Sequence, residues 1–222
     1  MSRTHEASEP TSRPRMPVTP EDLEDVVRQA VAVLRRAPQE RWGEKAGSLE
    51  WDCWETVEHL ADDMFCYATQ LAPHSGALNG YVPFLMTRQR EGGPNETLHA
   101  ERDAGVDGLV QVLEASAGLL VAMVRTRPPE TRAHHSYGAS DPEGFTAMGI
   151  VEALVHVHDI AAGLGVAWQP DAGVCERVLR RLFRDLPVGD DPWQTLLWAT
   201  GRLELPGLPR RESWRWNGTP LD

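Results

Sequence analysis

Residues 149–165, GIVEALVHVHDIAAGLG, decide how this chain is read. Ile150, Val151, Leu154, Val155, Val157 and Ile160 give the stretch the composition of a buried helix, and Glu152, His156, His158 and Asp159 interrupt it with ionisable groups. A charge in apolar surroundings is costly unless it is paired or coordinates a metal. At about 100° per residue, Glu152 and His156 stand roughly 40° apart around the helix, and Asp159 lies about 20° to the other side of Glu152. One narrow face therefore carries a carboxylate, an imidazole and a second carboxylate. His158 points about 120° away from Glu152 and belongs to another task. Gly149 and Gly163 flank His156 by two turns each and are expected to leave space on the same face.

Three amphipathic helices precede this segment. Thr19 is a natural N-cap, Pro20 suits the first helical position, and Leu23, Val26, Val27, Ala30, Val31 and Leu34 form a 3.6-residue stripe. The second helix opens at Asp52 and runs through CWETVEHLADDMFCYATQL, with Cys53, Val57, Leu60, Met64, Ala68 and Leu71 as its apolar side. His59 falls nearly opposite, beside Asp52, Thr56, Asp63 and Cys66. That side is either solvated or lines a polar cleft inside a wide bundle. Residues 73–103 are too rich in Gly and Pro for one continuous helix. The third helix, AGVDGLVQVLEASAGLLVAMVRT, stops before Pro128–Pro129, and the fourth spans about 144–163.

This order predicts a mainly α chain. Residues 20–165 form a four-helix bundle with a long crossover between helices 2 and 3. Residues 1–19 are expected to be a disordered tail. Residues 166–222 are expected to be a short C-terminal α/β extension. It has two helices, an alternating SWRWNG read as a strand or hairpin arm, and Trp193, Trp198, Trp214 and Trp216 packing it onto the bundle.

Composition narrows the function classes. The chain has 222 residues and a formal net charge of −11, which disfavours nucleic acid and anionic membranes as partners and favours a small molecule or a protein. The longest fully apolar run, LLVAMV at 119–124, is far too short to span a bilayer. Cys53, Cys66 and Cys175 are too scattered for a disulfide framework, and the N-terminus has no apolar signal core; both point to the cytoplasm. Monomer and homodimer both remain open.

Glu and His four residues apart on a helix can hold one metal ion from adjacent turns, and the same spacing also forms a simple intra-helix hydrogen bond. A third ligand must come from elsewhere, and His59 is the candidate. WETVEHLA together with GIVEALVHVHDIAAGLG resembles the mycothiol-dependent maleylpyruvate isomerase family of the DinB-like superfamily. The resemblance covers roughly residues 20–165. It implies a four-helix bundle holding a divalent metal, usually zinc, through a His on helix 2 and a Glu-x-x-x-His pair on helix 4. The ligands carried over are His59, Glu152 and His156, and Asp159 matches the acid three residues beyond that His. The family's substrate-engaging arginine at the start of helix 3 maps to Arg102. The 73–103 link is longer than in the isomerase proper, and the chain is expected to lack the family's full C-terminal α/β domain.

The expected activity is a metal- and thiol-dependent isomerisation or S-transfer on a small, carboxylated electrophile, with mycothiol as cosubstrate. Three protein ligands leave one position open, as catalytic zinc sites do. The rival expectations are a metal-dependent hydrolase on the same site and a non-catalytic binding or sensing module. Arg88 and Arg90 are read as surface charges, Cys66 as packed, and His134 and His135 as solvated loop residues that could border a cleft.

Overall fold

Helices α1, α2 and α4 start where a side chain satisfies their free amides. The computed structural model describes residues 15–73 and 78–221. In α1 (Pro20–Leu34), Thr19 accepts from the Asp22 amide, and the Asp22 carboxylate accepts from the Thr19 amide. In α2 (Cys53–Leu71), Asp52 and Glu55 form the same reciprocal pair. α3 spans Gly105–Thr126. α4 (Pro142–Leu164) starts at Asp141 and stops at Gly165, whose φ of 73° is left-handed.

α2 packs against both α3 and α4, and α1 packs on the same two helices. Leu23, Leu60, Met64, Leu113, Leu120 and Ile150 are fully buried between them. α4 is buried on most of its circumference, which explains its nearly unbroken apolar composition. Two helical stretches, Arg102–Thr126 and Pro142–Leu164, are long and apolar enough by composition to cross a bilayer; in the second, 83% of the apolar window is buried inside the protein.

The expectation that Gly149 and Gly163 leave open space is corrected. A Cβ at Gly149 would sit 2.9 Å from Leu120 Cδ2, and one at Gly163 would sit 2.3 Å from the Lys45 carbonyl oxygen and 2.6 Å from Cys53 Sγ. Both glycines let neighbouring segments press close against α4. The end of the expected N-terminal tail is also ordered. Val18 is buried and its amide donates to Glu143 Oε1 at 2.9 Å, while Arg15 Nη2 reaches Glu143 Oε2 at 3.0 Å. Residues 1–14 lie outside the described residues.

The crossover covers the polar side of α2. Asp62 Oδ1 accepts from the Thr97 and Leu98 amides at 2.9 and 2.8 Å, and Glu58 Oε1 accepts from the Ala100 amide at 2.9 Å. Gln70 bonds both the Gly80 carbonyl and the Val82 amide. Irregular backbone needs partners when buried, and α2 supplies them from side chains. The polar side of α2 is therefore an interior surface, the second of the two possibilities its pattern left.

The C-terminal extension is helical: α5 (Ala172–Leu182) and α6 (Pro192–Ala199). Among the described residues there is no β-strand, only isolated bridges such as Leu205 with Leu208, so the expected α/β character is corrected. In SWRWNG, Trp216 is buried, Trp214 packs against the core, and the Asn217 amide bonds the Leu182 carbonyl at the end of α5. The alternation thus serves to dock tryptophans. Trp193 on α6 meets His158 edge-on at 5.6 Å, which is the separate task of that histidine. Arg181 on α5 is wholly buried and pairs at 2.8 Å with Asp141, the cap of α4.

Candidate metal centre

α2 and α4 bring His59, Glu152 and His156 together. The two imidazole centroids are 5.2 Å apart, and Glu152 Oε2 is 3.1 Å from His156 Nε2. Asp63, one turn after His59, is a fourth member, with its Oδ2 3.3 Å from His59 Nε2. His59, Asp63 and His156 each place one potential ligand atom within 4.8 Å of the others. The polar side of helix 2 already contained Asp63, and its spacing of four from His59 was the available signal.

Each imidazole has a carboxylate behind its far nitrogen. Asp159 Oδ2 lies 3.5 Å from His156 Nδ1, and Glu96 Oε1 lies 3.5 Å from His59 Nδ1. Such outer carboxylates orient metal-bound histidines and fix their tautomer. Asp159 is itself held by Arg202, at 2.7 Å from Nη2 and 3.4 Å from Nε. Tyr67 Oη lies 3.5 Å from Glu152 Oε1. Sequence reasoning missed Glu96 and Arg202. Neither has a fixed spacing to the histidines, and only the folded crossover and extension deliver them.

Crowding perturbs the protonation equilibria. Burial pushes Asp63 up to about 7, with Glu152 adding to the push and the two histidines pulling back. Burial also opposes charge on His59, but Asp63 and Glu96 outweigh it and raise it to about 9. His156 moves up likewise, burial being outweighed by its bonds to Asp159 and Glu152. Glu152 and Asp159 are lowered in spite of burial, each chiefly through His156, with Arg202 also acting on both.

The donor set fits a divalent cation. Two imidazoles and two carboxylates are the ligand types of zinc and related first-row metals. Asp63 Oδ2 is buried without a hydrogen-bond partner, as expected where a cation organises the cluster.

Two clefts reach the histidines. One, of about 500 Å³, has His59, Asp63 and Glu152 in its wall with Tyr67, Tyr81, Phe84, His135, Tyr137 and Trp216. The other, of about 800 Å³, is bordered by His59 and His156 with Trp51, Arg202, Arg210 and Arg211. His135 is not solvated; it is buried within an aromatic group of Tyr67, Tyr81, Tyr137 and Trp216, and His134 stacks edge-on against Tyr81. Cys66 lines the first cleft, and burial pushes its thiol up to about 12, far from a thiolate.

Arg102 borders neither cleft. It is exposed and stacks over Trp54, with its guanidinium carbon 4.5 Å from the ring centroid. Arg90 holds Glu55 through two bonds of 2.5 and 2.6 Å, and Arg88 Nη1 donates to the Gly93 carbonyl, so both brace the crossover. No family model matches the chain, and neither does any curated protein or solved structure.

Proposed function

We propose that this protein is a divalent-metal-dependent enzyme of the DinB-like kind that uses a small thiol, mycothiol in the resembling family, to isomerise or conjugate a small carboxylated electrophile. One observation carries the reading: His59, Asp63, Glu152 and His156 converge from α2 and α4, with His59 in the walls of two clefts. His59, Glu152 and His156 would hold the cation, zinc by donor type. When bound, the cation supplies Lewis acidity, lowering the pKa of a thiol or water at its open position.

The chain's own residues do the rest. Asp159, clamped by Arg202, stands 3.5 Å behind His156, and Glu96 stands 3.5 Å behind His59, positions from which each carboxylate would orient its ring around a bound cation. The aromatic cleft excludes water from the reacting end of a substrate. Arg210 and Arg211, on the opposite cleft, offer the positive charge that a substrate carboxylate needs, which reassigns the role that the resemblance gave to Arg102. A charge-assisted hydrogen bond of that kind contributes about 1.5–3 kcal/mol. Thiol ionisation alone gains about 30-fold at pH 7, so most of the acceleration must come from orientation, which can supply ~7–11 kcal/mol.

Asp63 favours one alternative. As a fourth protein ligand it would close the coordination sphere, the arrangement of a structural site, and the protein would be a binding or sensing module. The test uses chelator-stripped protein reloaded with zinc, a low-molecular-weight thiol, and maleylpyruvate as the probe. The proposal expects turnover that requires both zinc and thiol. Zinc-dependent ester hydrolysis without thiol would replace it with the hydrolase, and no turnover of either substrate by zinc-loaded protein would replace it with the module.

A further inference from the structure

A second cluster of ligand-type side chains lies where the crossover meets α2. Glu58, Glu96 and His99 each place one donor atom within 4.8 Å of the others. Glu58 and Glu96 are 2% and 1% exposed, and Asp62, at 3%, is buried beside them. No lysine or arginine pairs with any of these three acids among the described residues. Glu58 and Asp62 accept backbone amides of the crossover, which accounts for part of their solvation.

Glu96 has no such account. Both of its carboxylate oxygens are buried without a hydrogen-bond partner. The nearest imidazole nitrogens, His59 Nδ1 and His99 Nδ1, stand at 3.5 and 3.8 Å, ion-pair range and too long for good hydrogen bonds. Burial pushes the Glu96 carboxyl up, with His59 pulling it back, and a carboxylate left this way is unfavourable unless it takes up a proton or a cation accompanies it. His99 is arranged to help supply one. Its Nε2 lies 3.1 Å from Thr87 Oγ1, and in the tautomer that donates there, Nδ1 turns a lone pair toward the cluster. His99 Nδ1 is likewise buried without a partner.

We propose that Glu58, Glu96 and His99 bind a second divalent cation of the zinc class, separate from the one at His59, Glu152 and His156. Metal–donor bonds of about 2.1 Å require donors roughly 3.4 Å apart, so modest side-chain rotation from the present spacing completes the site. Two carboxylates and one imidazole select a first-row divalent metal over calcium or magnesium. The cation joins α2 to the crossover at residues 96–99, fastening the segment that roofs the polar side of α2. Through Glu96 it also steadies His59, so the two sites communicate through one carboxylate.

The assignment is separable from the enzyme reading, because it predicts stoichiometry and crossover protection. Full-length protein is stripped, reloaded with zinc and dialysed, and its metal is counted by elemental analysis beside His99→Gln, Glu96→Gln and His156→Ala, each checked for helicity. Two zinc ions are expected in the wild type and one in each variant. Limited proteolysis is expected to cut residues 78–104 at least ten-fold faster in His99→Gln than in the wild type, and equally fast in both after chelation. One zinc in the wild type, lost in His156→Ala and kept in His99→Gln, would overturn the second site and leave the first standing. Zinc lost only in His99→Gln would do the reverse. Two zinc ions retained by both His99→Gln and Glu96→Gln would also refute the ligand set.

Discussion

Asp159 and Arg202 form the buried pair on which His156 rests, and separating them should be costly. Their side chains are 3% and 11% exposed, at an N–O distance of 2.7 Å. Arg202→Gln leaves the Asp159 charge buried with only His156 to answer it. Removing one partner of a buried pair costs about 3–5 kcal/mol, most of it from the stranded charge. Asp159→Asn removes that charge, so the double variant should recover much of the loss. Denaturant unfolding of the wild type, both singles and the double should give a coupling energy of at least about 1.5 kcal/mol, within the range for residues in direct contact. Zinc affinity, measured by competition with a chromophoric chelator, should fall about 10–100-fold in Asp159→Asn as the His156 ring loses its anchor. That is ~1.4–2.7 kcal/mol of binding energy. A coupling within about 0.5 kcal/mol together with unchanged zinc affinity would refute the reasoning.

Three further outcomes follow from the packing. Gly163→Ala should cost about 1–3 kcal/mol, because the Lys45 carbonyl 2.3 Å from the new Cβ is backbone and cannot swing away; thermal unfolding unchanged from the wild type would contradict this. His135, which burial lowers from 6.5 to about 4, stays neutral in the folded protein while the unfolded chain takes up a proton below pH 6.5. Its contribution therefore falls as pH drops through that window, by at most about 3 kcal/mol, and His135→Phe should flatten the stability–pH curve between pH 6.5 and 4. Arg102→Ala should lose about 0.5–1 kcal/mol of cation–π stabilisation over Trp54 and keep its metal and turnover; collapse of kcat/KM with metal intact would return Arg102 to the substrate.

Much of the helical frame was legible because it is written in local chemistry. Thr19 and Asp52 cap α1 and α2 where the sequence placed them, and every residue of the apolar stripe of α2 is buried. α4 begins earlier than its periodicity suggested, since Asp141 and Pro142 form its cap and first turn. The contributions of the crossover were not legible. Asp62 and Glu58 bind backbone amides of residues 97–100, and nothing in the side-chain pattern announces which amides those are. Glu96 reaches His59 across 37 positions, and Arg202 reaches Asp159 across 43, so neither has a local spacing to betray it. SWRWNG misled for the opposite reason: its period of two is real, but among the described residues it has no neighbouring strand and orients tryptophans instead.

A cation held between α2 and α4 would be seen in anomalous diffraction from zinc-loaded crystals at the zinc absorption edge. The expected peak lies within about 2.0–2.2 Å of a nitrogen of His59, a nitrogen of His156 and an oxygen of Glu152. The same peak should vanish in His156→Ala. A zinc-loaded crystal with no anomalous density within bonding reach of those three side chains would contradict that assignment.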